Sequence, residues 1–326
     1  MNLTTEIPTS FFIDKELIEW LMQGDVAIQF QAKRDLLDRL DLDLQKRIAT
    51  EGWGENFLSK RRVQGHWGKR FYEPKWISSH YTLLDLKNLG IHPDHPLIRS
   101  SMELIFESEK GPDGGMGPIG DVKRSDICVN GMFLNYASYF SSPKEDLYSV
   151  VDFLLENQMP DGGFNCRSNR GKAIHSSMHS TISVVEGITE YHRNKYTYRL
   201  DELLTVRSQS IEFLLCHQLF KSDRTGEIIH PDFLKFPYPF RWKYNVLRAM
   251  DAIRLAEIPW DDRMAPAIDV ILNKRKKNGS WNVQAKHPGQ LHFEMEKAGK
   301  PSRWITLIAL RILRQYHDHL TPSQIH

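Results

Sequence analysis

Four glycine turns at a near-constant interval constrain this chain more than any other feature of it. They read QGHWG (64–68), DGGMG (113–117), DGGFN (161–165) and NGSWN (278–282). From Trp67 to Met116 and from Met116 to Phe164 the step is about 50 residues, and from Phe164 to Trp281 it is slightly more than twice that. A further copy is expected between the last two, where DRTGEII (223–229) supplies the same turn chemistry without an aromatic residue. A period of this length marks a repeat architecture, in which each unit is one supersecondary piece that buries its apolar face only against its neighbours.

The segments between the turns carry helical periodicity. HPLIRSSMELIFESE (95–109), EDLYSVVDFLLENQ (145–158), VRSQSIEFLLCHQLF (206–220) and MAPAIDVILNKRK (264–276) place apolar residues at i, i+3, i+4 and i+7, as an amphipathic helix does. Each is followed by a more apolar helix: DICVNGMFLNYASYF (126–140), HSSMHSTISVVEGITEY (175–191), RWKYNVLRAMDAIRLA (241–256) and PSRWITLIALRILRQY (301–316), with WISSHYTLLDLKNLG (76–90) heading the series. KELIEWLMQG (15–24) and VAIQFQAKRDLLDRL (26–40) form a shorter pair without the glycine turn. Strand signals are almost absent. The expectation is an all-α fold of five to six helical hairpins, with repeats at roughly 11–45, 50–92, 95–142, 144–196, 201–257 and 260–317 in a single domain over 1–326. The second helices are too apolar to face solvent along an open solenoid, which favours a closed ring. The turn glycines would supply positive φ, and Trp67, Phe164 and Trp281 would wedge between hairpins.

With 326 residues and 40% apolar content the chain can bury a sizeable core, and its 43 basic and 41 acidic side chains nearly cancel. No run of five like charges asks for nucleic acid. No apolar stretch approaches the roughly 18 residues a membrane span needs, and the N-terminus lacks a signal-like apolar region, so a cytoplasmic protein is expected. The odd count of three cysteines, Cys128, Cys166 and Cys216, points to free thiols.

Polarity collects at the start of every second helix. The residues are Ser78, Ser79 and His80; Asp126, Cys128 and Asn130; His175, Ser176, Ser177, His179 and Ser180; Arg241, Lys243 and Asn245; Ser302, Arg303 and Thr306. Helix capping accounts for Ser78, Ser176 and Ser302. If the second helices run parallel around a ring, the rest converge on one mouth of a largely apolar cavity, the usual form of a small-molecule site. His80, Asn130, His175, Arg241, Trp242, Lys243, Arg303 and Trp304 are then substrate-binding candidates, the arginines and lysine suiting an anion. Asp126, Cys128 and His179 offer ligand types that zinc accepts, with a fourth position left open. Asp126 and Cys128 point about 200° apart on a regular helix, so sharing one ion requires the helix to start between them. His175 is a competing ligand. Cys166 is either a fourth ligand or a small buried hydrophobe.

QMPDGGFNC and NGSWNV resemble the QW-type repeats of squalene and terpenoid cyclases, and over about five repeats the chain is similar to the α/α-toroid superfamily that also contains the protein prenyltransferase β subunits. DICVNGMFLNY is similar to the prenyltransferase segment in which Asp-x-Cys opens an inner helix, and MHSTISVVEGI to the segment that carries the third zinc ligand. The resemblance implies an α/α toroid, zinc held by Asp126, Cys128 and His179, and an isoprenoid or other apolar substrate. Two departures stand against it. The Asp-x-Asp-Asp motif of protonation-initiated cyclases is missing, Asp261 and Asp262 of WDDRM and the DLDL segment being no match, and no DDxxD motif appears. The prenyltransferases also work with a separate α subunit, which this chain leaves open and does not imply. Cys216 and His217 resemble the pair of lanthionine-forming zinc toroids but lack the glycine that follows there. Glu186, Glu294 and Glu296 are carboxylates suited to a carbohydrate-directed toroid, and Asp85 and Glu186 are candidates for raised pKa or for pairing with a base. The expectation is thus a zinc-containing enzyme, set against a non-catalytic toroid whose cavity is filled by Trp242 and Trp304.

Overall fold

The computed structural model describes residues 13–117, 124–167, 171, 173–284 and 288–320. The fold is all-α. The helices are α1 Lys15–Met22, α2 Val26–Leu36, α3 Leu42–Arg47, α4 Gly52–Leu58, α5 Ser79–Leu89, α6 Pro96–Ser108, α7 Ile127–Tyr139, α8 Lys144–Glu156, α9 Met178–Arg193, α10 Leu200–Cys216, α11 Val246–Leu255, α12 Ala265–Leu272 and α13 Arg303–Gln315. Among the described residues the only strands are β1 Trp281–Asn282 and β2 Pro301–Ser302, an antiparallel pair.

Contacts between the apolar helices run in sequence: α5 on α7, α7 on α9, α9 on α11, α11 on α13, and α13 on α2. Gln31 of α2 closes the series by donating to the carbonyls of Asn88 and Leu89 at the end of α5 (2.8 and 3.0 Å). The C-terminal parts of all six helices line one cavity. Outside them, α1 packs on α2, α8 on α7, α10 on α9, and α12 on α11. The α7–α9 contact is backbone-close. A Cβ on Gly131 would lie 2.6 Å from the Ser183 backbone and one on Gly187 2.4 Å from the Gly131 carbonyl oxygen, so only glycine fits at either position.

The glycine turns repeat one device. Gly65, Gly114, Gly162 and Gly279 all have positive φ (96°, 83°, 89° and 77°), which costs a glycine little. The next large residue, Trp67, Met116, Phe164 or Trp281, is fully buried. Its N–H is then accepted by a side chain near the start of the following helix: Ser79 (3.1 Å), Asn130 (2.7 Å), Thr181 (2.9 Å) and Thr306 (2.9 Å) respectively. Turn carboxylates fasten the same joint, Asp113 accepting from the N–H and hydroxyl of Ser125 and Asp161 from those of Ser176. Such bonds satisfy groups that would otherwise be buried without partners. Much of the polarity at the helix starts is therefore architectural.

The fifth copy keeps the turn and loses the wedge. Gly226 has φ 71° and Lys221 bridges to Ile228, yet Ile228 is half exposed. The connection that follows brings Phe236, Tyr238 and Arg241 into the interior. Arg241, at φ 57°, donates to Asp85 of α5 (2.7 Å). In this unit it is the connection after the turn, and not the turn itself, that contributes the buried side chains.

Candidate functional site

Two groups of side chains are not accounted for by the wedge device. The first lies where α5 and α7 begin. Cys166, just after the third glycine turn, accepts hydrogen bonds at its sulfur from the Cys128 N–H in the first turn of α7 (3.1 Å) and from the Ser180 hydroxyl (3.3 Å). A thiol hydrogen bond from Cys128, followed by burial, pushes the Cys128 thiol well up. The same bond holds Cys166 below the usual thiol range against burial. Donation from a helix N-terminus and a hydroxyl is an arrangement that favours thiolate at one sulfur.

Beside the pair stands Lys75, on the 3-10 turn Lys75–Ile77 that precedes α5. Its ammonium lies 4.8 Å from the Trp76 ring centroid, 5.3 Å from Trp242 and 5.9 Å from Tyr72. Burial lowers its pKa, while the neighbouring Cys128, Asp126 and Cys166 act the other way and Lys243 adds to the lowering. Among the described residues neither Lys75 nor Lys243 is ion-paired. Lys75 over three aromatic faces, with the charge of Lys243 nearby, forms an anion-attracting surface with an apolar floor.

Beneath this surface Arg241 sits over the rings of Trp76 and Tyr81 and pairs with Asp85. Burial drives the Asp85 carboxyl up to about 6 despite the guanidinium. Tyr238 stacks near Trp304 (4.7 Å between centroids), and Glu296 accepts from the Trp304 N–H (3.2 Å) and the Ser302 hydroxyl. His292 contacts the Thr82 hydroxyl through Nε2 (2.9 Å) and is held down to about 4 by burial, then by Arg241 and Lys60.

The residues singled out in the sequence distribute as follows. α7 begins at Ile127, between Asp126 and Cys128, as a shared ion would need. His179 does not join them. Its Nδ1 accepts the Tyr244 N–H (2.8 Å), its ring meets Phe233 and Trp242 edge-on, and burial lowers its pKa to about 4. It lines an outer groove of about 1420 Å3 together with the exposed His175 and with Cys216 and His217. Among the described residues no three His, Cys, Asp or Glu side chains form a group able to hold a metal ion. Cys166, rather than His179, is the partner of Cys128.

Asn130 is spent on the second turn: its oxygen takes the Met116 N–H, and its amide donates to the carbonyls of Met116 (3.3 Å) and Asp126 (3.0 Å). Arg303 turns outward, donating to the Trp20 carbonyl (2.8 Å) with its guanidinium 4.6 Å from that indole, so it joins α13 to α1 and faces no mouth. His80 is fully buried against Tyr136 (3.2 Å), with Nε2 unpartnered, and burial takes its pKa to about 3. Arg241 is already neutralised by Asp85. Lys243 and Trp242 remain at the lysine surface. Asp85 and Glu186 are both paired with arginine, and Cys216 is exposed beside Glu212.

The expected apolar cavity is also different in kind. The chamber at the C-terminal ends of the six helices, about 360 Å3, is walled by ion pairs: Arg248 with Glu186 (2.6 Å), Lys87 with Glu190 (2.9 Å), and Arg311 with Asp35 (3.0 Å) and Asp251. Tyr238, Arg241 and Trp304 form part of its lining. Lys75, Tyr238 and His292 drew no notice in the sequence, because they lie on connections whose path no periodicity predicts.

No protein-family profile matches the chain, and no curated protein matches it. Among solved structures, it is similar to the type II terpene cyclase MstE from Scytonema, solved in complex with the product merosterolic acid A. The identity is 16%, the alignment covers 86% of this chain and 98% of that one, and the TM-score is 0.33. No helix among the described residues is long and apolar enough to cross a membrane.

Proposed function

We propose that the chain is an α/α toroid and an enzyme, acting where α5 and α7 begin on a substrate with an apolar, isoprenoid-like body and an anionic head. The closed series of helix contacts supports the toroid. In this reading Trp76, Trp242 and Tyr72 meet the apolar body, Lys75 and Lys243 hold the anionic head as it leaves, and the Cys166 thiolate takes the proton of a thiol or hydroxyl acceptor as that acceptor attacks the carbon from which the diphosphate departs. One observation carries the proposal. Every anchored glycine turn uses one side chain on the next helix to hold its wedge, and only the turn after α8 adds a sulfur that receives both a helix N–H and a hydroxyl beside a second thiol.

Zinc belongs to this reading only as a question for measurement. Among the described residues no three such side chains are grouped to hold an ion, and His179 is engaged with Tyr244, so no step is assigned to a metal. Plasma mass spectrometry on untagged protein, wild type against Cys128→Ser and His179→Ala, tests zinc held by Asp126, Cys128 and His179. About one zinc per chain, lost in both variants, would establish it.

The functional test is release of diphosphate from geranyl, farnesyl and geranylgeranyl diphosphate in the presence of thiol and hydroxyl acceptors. Turnover in wild type that disappears in Cys166→Ser and weakens in Lys75→Met is expected. No turnover and no saturable binding with any of the three would sink the isoprenoid reading. A second reading, a non-catalytic binding toroid, is favoured by one feature: Tyr238, Trp304 and Arg241 occupy the ring interior where an enclosed substrate chamber would lie.

A further inference from the structure

We infer that Cys166 and Cys128 form a dithiol oxidation site, at which a hydroperoxide converts the pair to a reversible disulfide within one chain. The Cys166 sulfur lies 3.1 Å from the Cys128 backbone nitrogen and also receives the Cys128 thiol hydrogen bond. That nitrogen is one bond from the Cα that bears the second thiol. The two Cα atoms are therefore no more than about 7.4 Å apart even with every bond in line, and closer in any bent geometry, against the about 4.4–6.8 Å that a disulfide spans. Cys128 and Cys166 are both free and partly exposed, so a small oxidant has access to the pair.

The two sulfurs differ as an attacking and a resolving thiol must. Bonds from the Cys128 thiol, the Ser180 hydroxyl (3.3 Å) and the Cys128 N–H favour thiolate at Cys166, and the Ser180 oxygen in turn accepts the Cys166 N–H (3.2 Å), which fixes the geometry. The Cys166 thiolate attacks one peroxide oxygen, the O–O bond breaks, and the other oxygen leaves as water after taking a proton. The Cys128 sulfur then gives up its proton, attacks the Cys166 sulfenic acid at sulfur and expels its oxygen as a second water. Two thiols lose two hydrogens, and one hydroperoxide is reduced by two electrons. Cys216 supplies the contrast within the same chain: it is exposed, but burial of its sulfur and then the Glu212 carboxylate (3.2 Å) push its thiol up. On the proposed function, on which this consequence alone rests, the disulfide removes the Cys166 base and stops turnover.

Reduced wild-type protein is treated with a small excess of hydrogen peroxide, blocked with N-ethylmaleimide at timed intervals and digested with trypsin without reductant. Cleavage after Arg124, Lys144 and Arg167 puts Cys128 on peptide 125–144 and Cys166 on peptide 145–167. Mass spectrometry should find the two joined, two hydrogens lighter than their sum, formed about tenfold faster than Cys216 is lost and separated again by dithiothreitol. Cys128→Ser should halt at a Cys166 sulfenic acid that dimedone traps, and Cys166→Ser should leave Cys128 alkylated. No joined peptide once Cys216 is oxidised, joining only between chains or to Cys216, or formation no faster than Cys216 oxidation would each overturn the inference. Diphosphate release is followed on the same samples, where loss on oxidation and recovery with dithiothreitol is expected. A joined peptide in protein that shows no turnover in either state would refute the enzymatic reading and leave the disulfide standing.

Discussion

Thr181 and Thr189 lie two turns apart on α9, both buried, and one substitution made at each gives opposite expectations. The Thr181 hydroxyl accepts the buried N–H of Phe164 (2.9 Å), whereas the Thr189 hydroxyl has no partner. Valine is nearly isosteric with threonine and equally β-branched, so neither change opens a cavity or alters helix propensity much. In Thr181→Val the Phe164 N–H loses its acceptor. The Phe164 carbonyl keeps the Ser177 N–H (2.7 Å), so the loss is confined to one orphaned donor, about 1–3 kcal/mol. At about 2.1 cal/mol/K per residue, unfolding 326 residues carries an entropy near 0.7 kcal/mol/K, and the melting temperature should fall by about 1.5–4 °C. Thr189→Val removes a polar atom whose burial is uncompensated, and its melting temperature should stay level or rise. Differential scanning calorimetry of both variants under one buffer checks the pair. Equal destabilisation, or a fall in Thr189→Val alone, would refute the assignment of the helix-start side chains to anchoring the wedge turns.

Further substitutions test the packing and the buried charges. Gly187→Ala, whose Cβ would press on the Gly131 carbonyl, should cost about 3 kcal/mol. Gly226→Ala, with open space around it and only its positive φ against it, should cost about 1–2 kcal/mol, both glycine variants being read by urea titration. Removing one member of the Asp85–Arg241 pair should destabilise by about 3–5 kcal/mol, and Asp85→Leu combined with Arg241→Leu should fall well short of the sum of the single changes. On acidification, His179 and His292 (about 4) and His80 (about 3) stay neutral in the fold after the unfolded chain has begun to protonate near 6.5. Their stabilisation is whole above 6.5 and is lost as pH falls toward 4. Asp85, raised to about 6, works in the opposite direction, so the urea midpoint should fall from pH 7.5 to pH 5 and fall more steeply in Asp85→Asn; a flat or rising midpoint in both would contradict it.

What the sequence made legible was periodic, and what it hid was not. The 50-residue spacing pointed to the wedge turns, and apolar periodicity to the helices, because both are local patterns with a fixed geometric meaning. The concentration of polar residues at helix starts was equally visible. Its meaning was not, since Asn130 reads the same whether it meets a ligand or the Met116 backbone 14 residues earlier. The ionic interior was hidden for a different reason. Arg311 and Asp35 stand 276 residues apart and Arg248 and Glu186 62 apart, and nothing in a helical pattern says which charged residue on one helix will face which on another.

The missing wedge of the fifth unit connects these two kinds of feature. In the other units an aromatic or methionine side chain closes the joint between hairpins. Without that side chain at 228, the chain carries on inward. The segment from 229 to 244 delivers Tyr238 and Arg241 to the interior and Trp242 and Lys243 to the lysine surface, so four residues of the candidate site come from the one repeat that lacks a wedge. A defect in the period, read in the sequence as a turn without its aromatic residue, thus marks the connection that carries Phe236, Tyr238 and Arg241 inside.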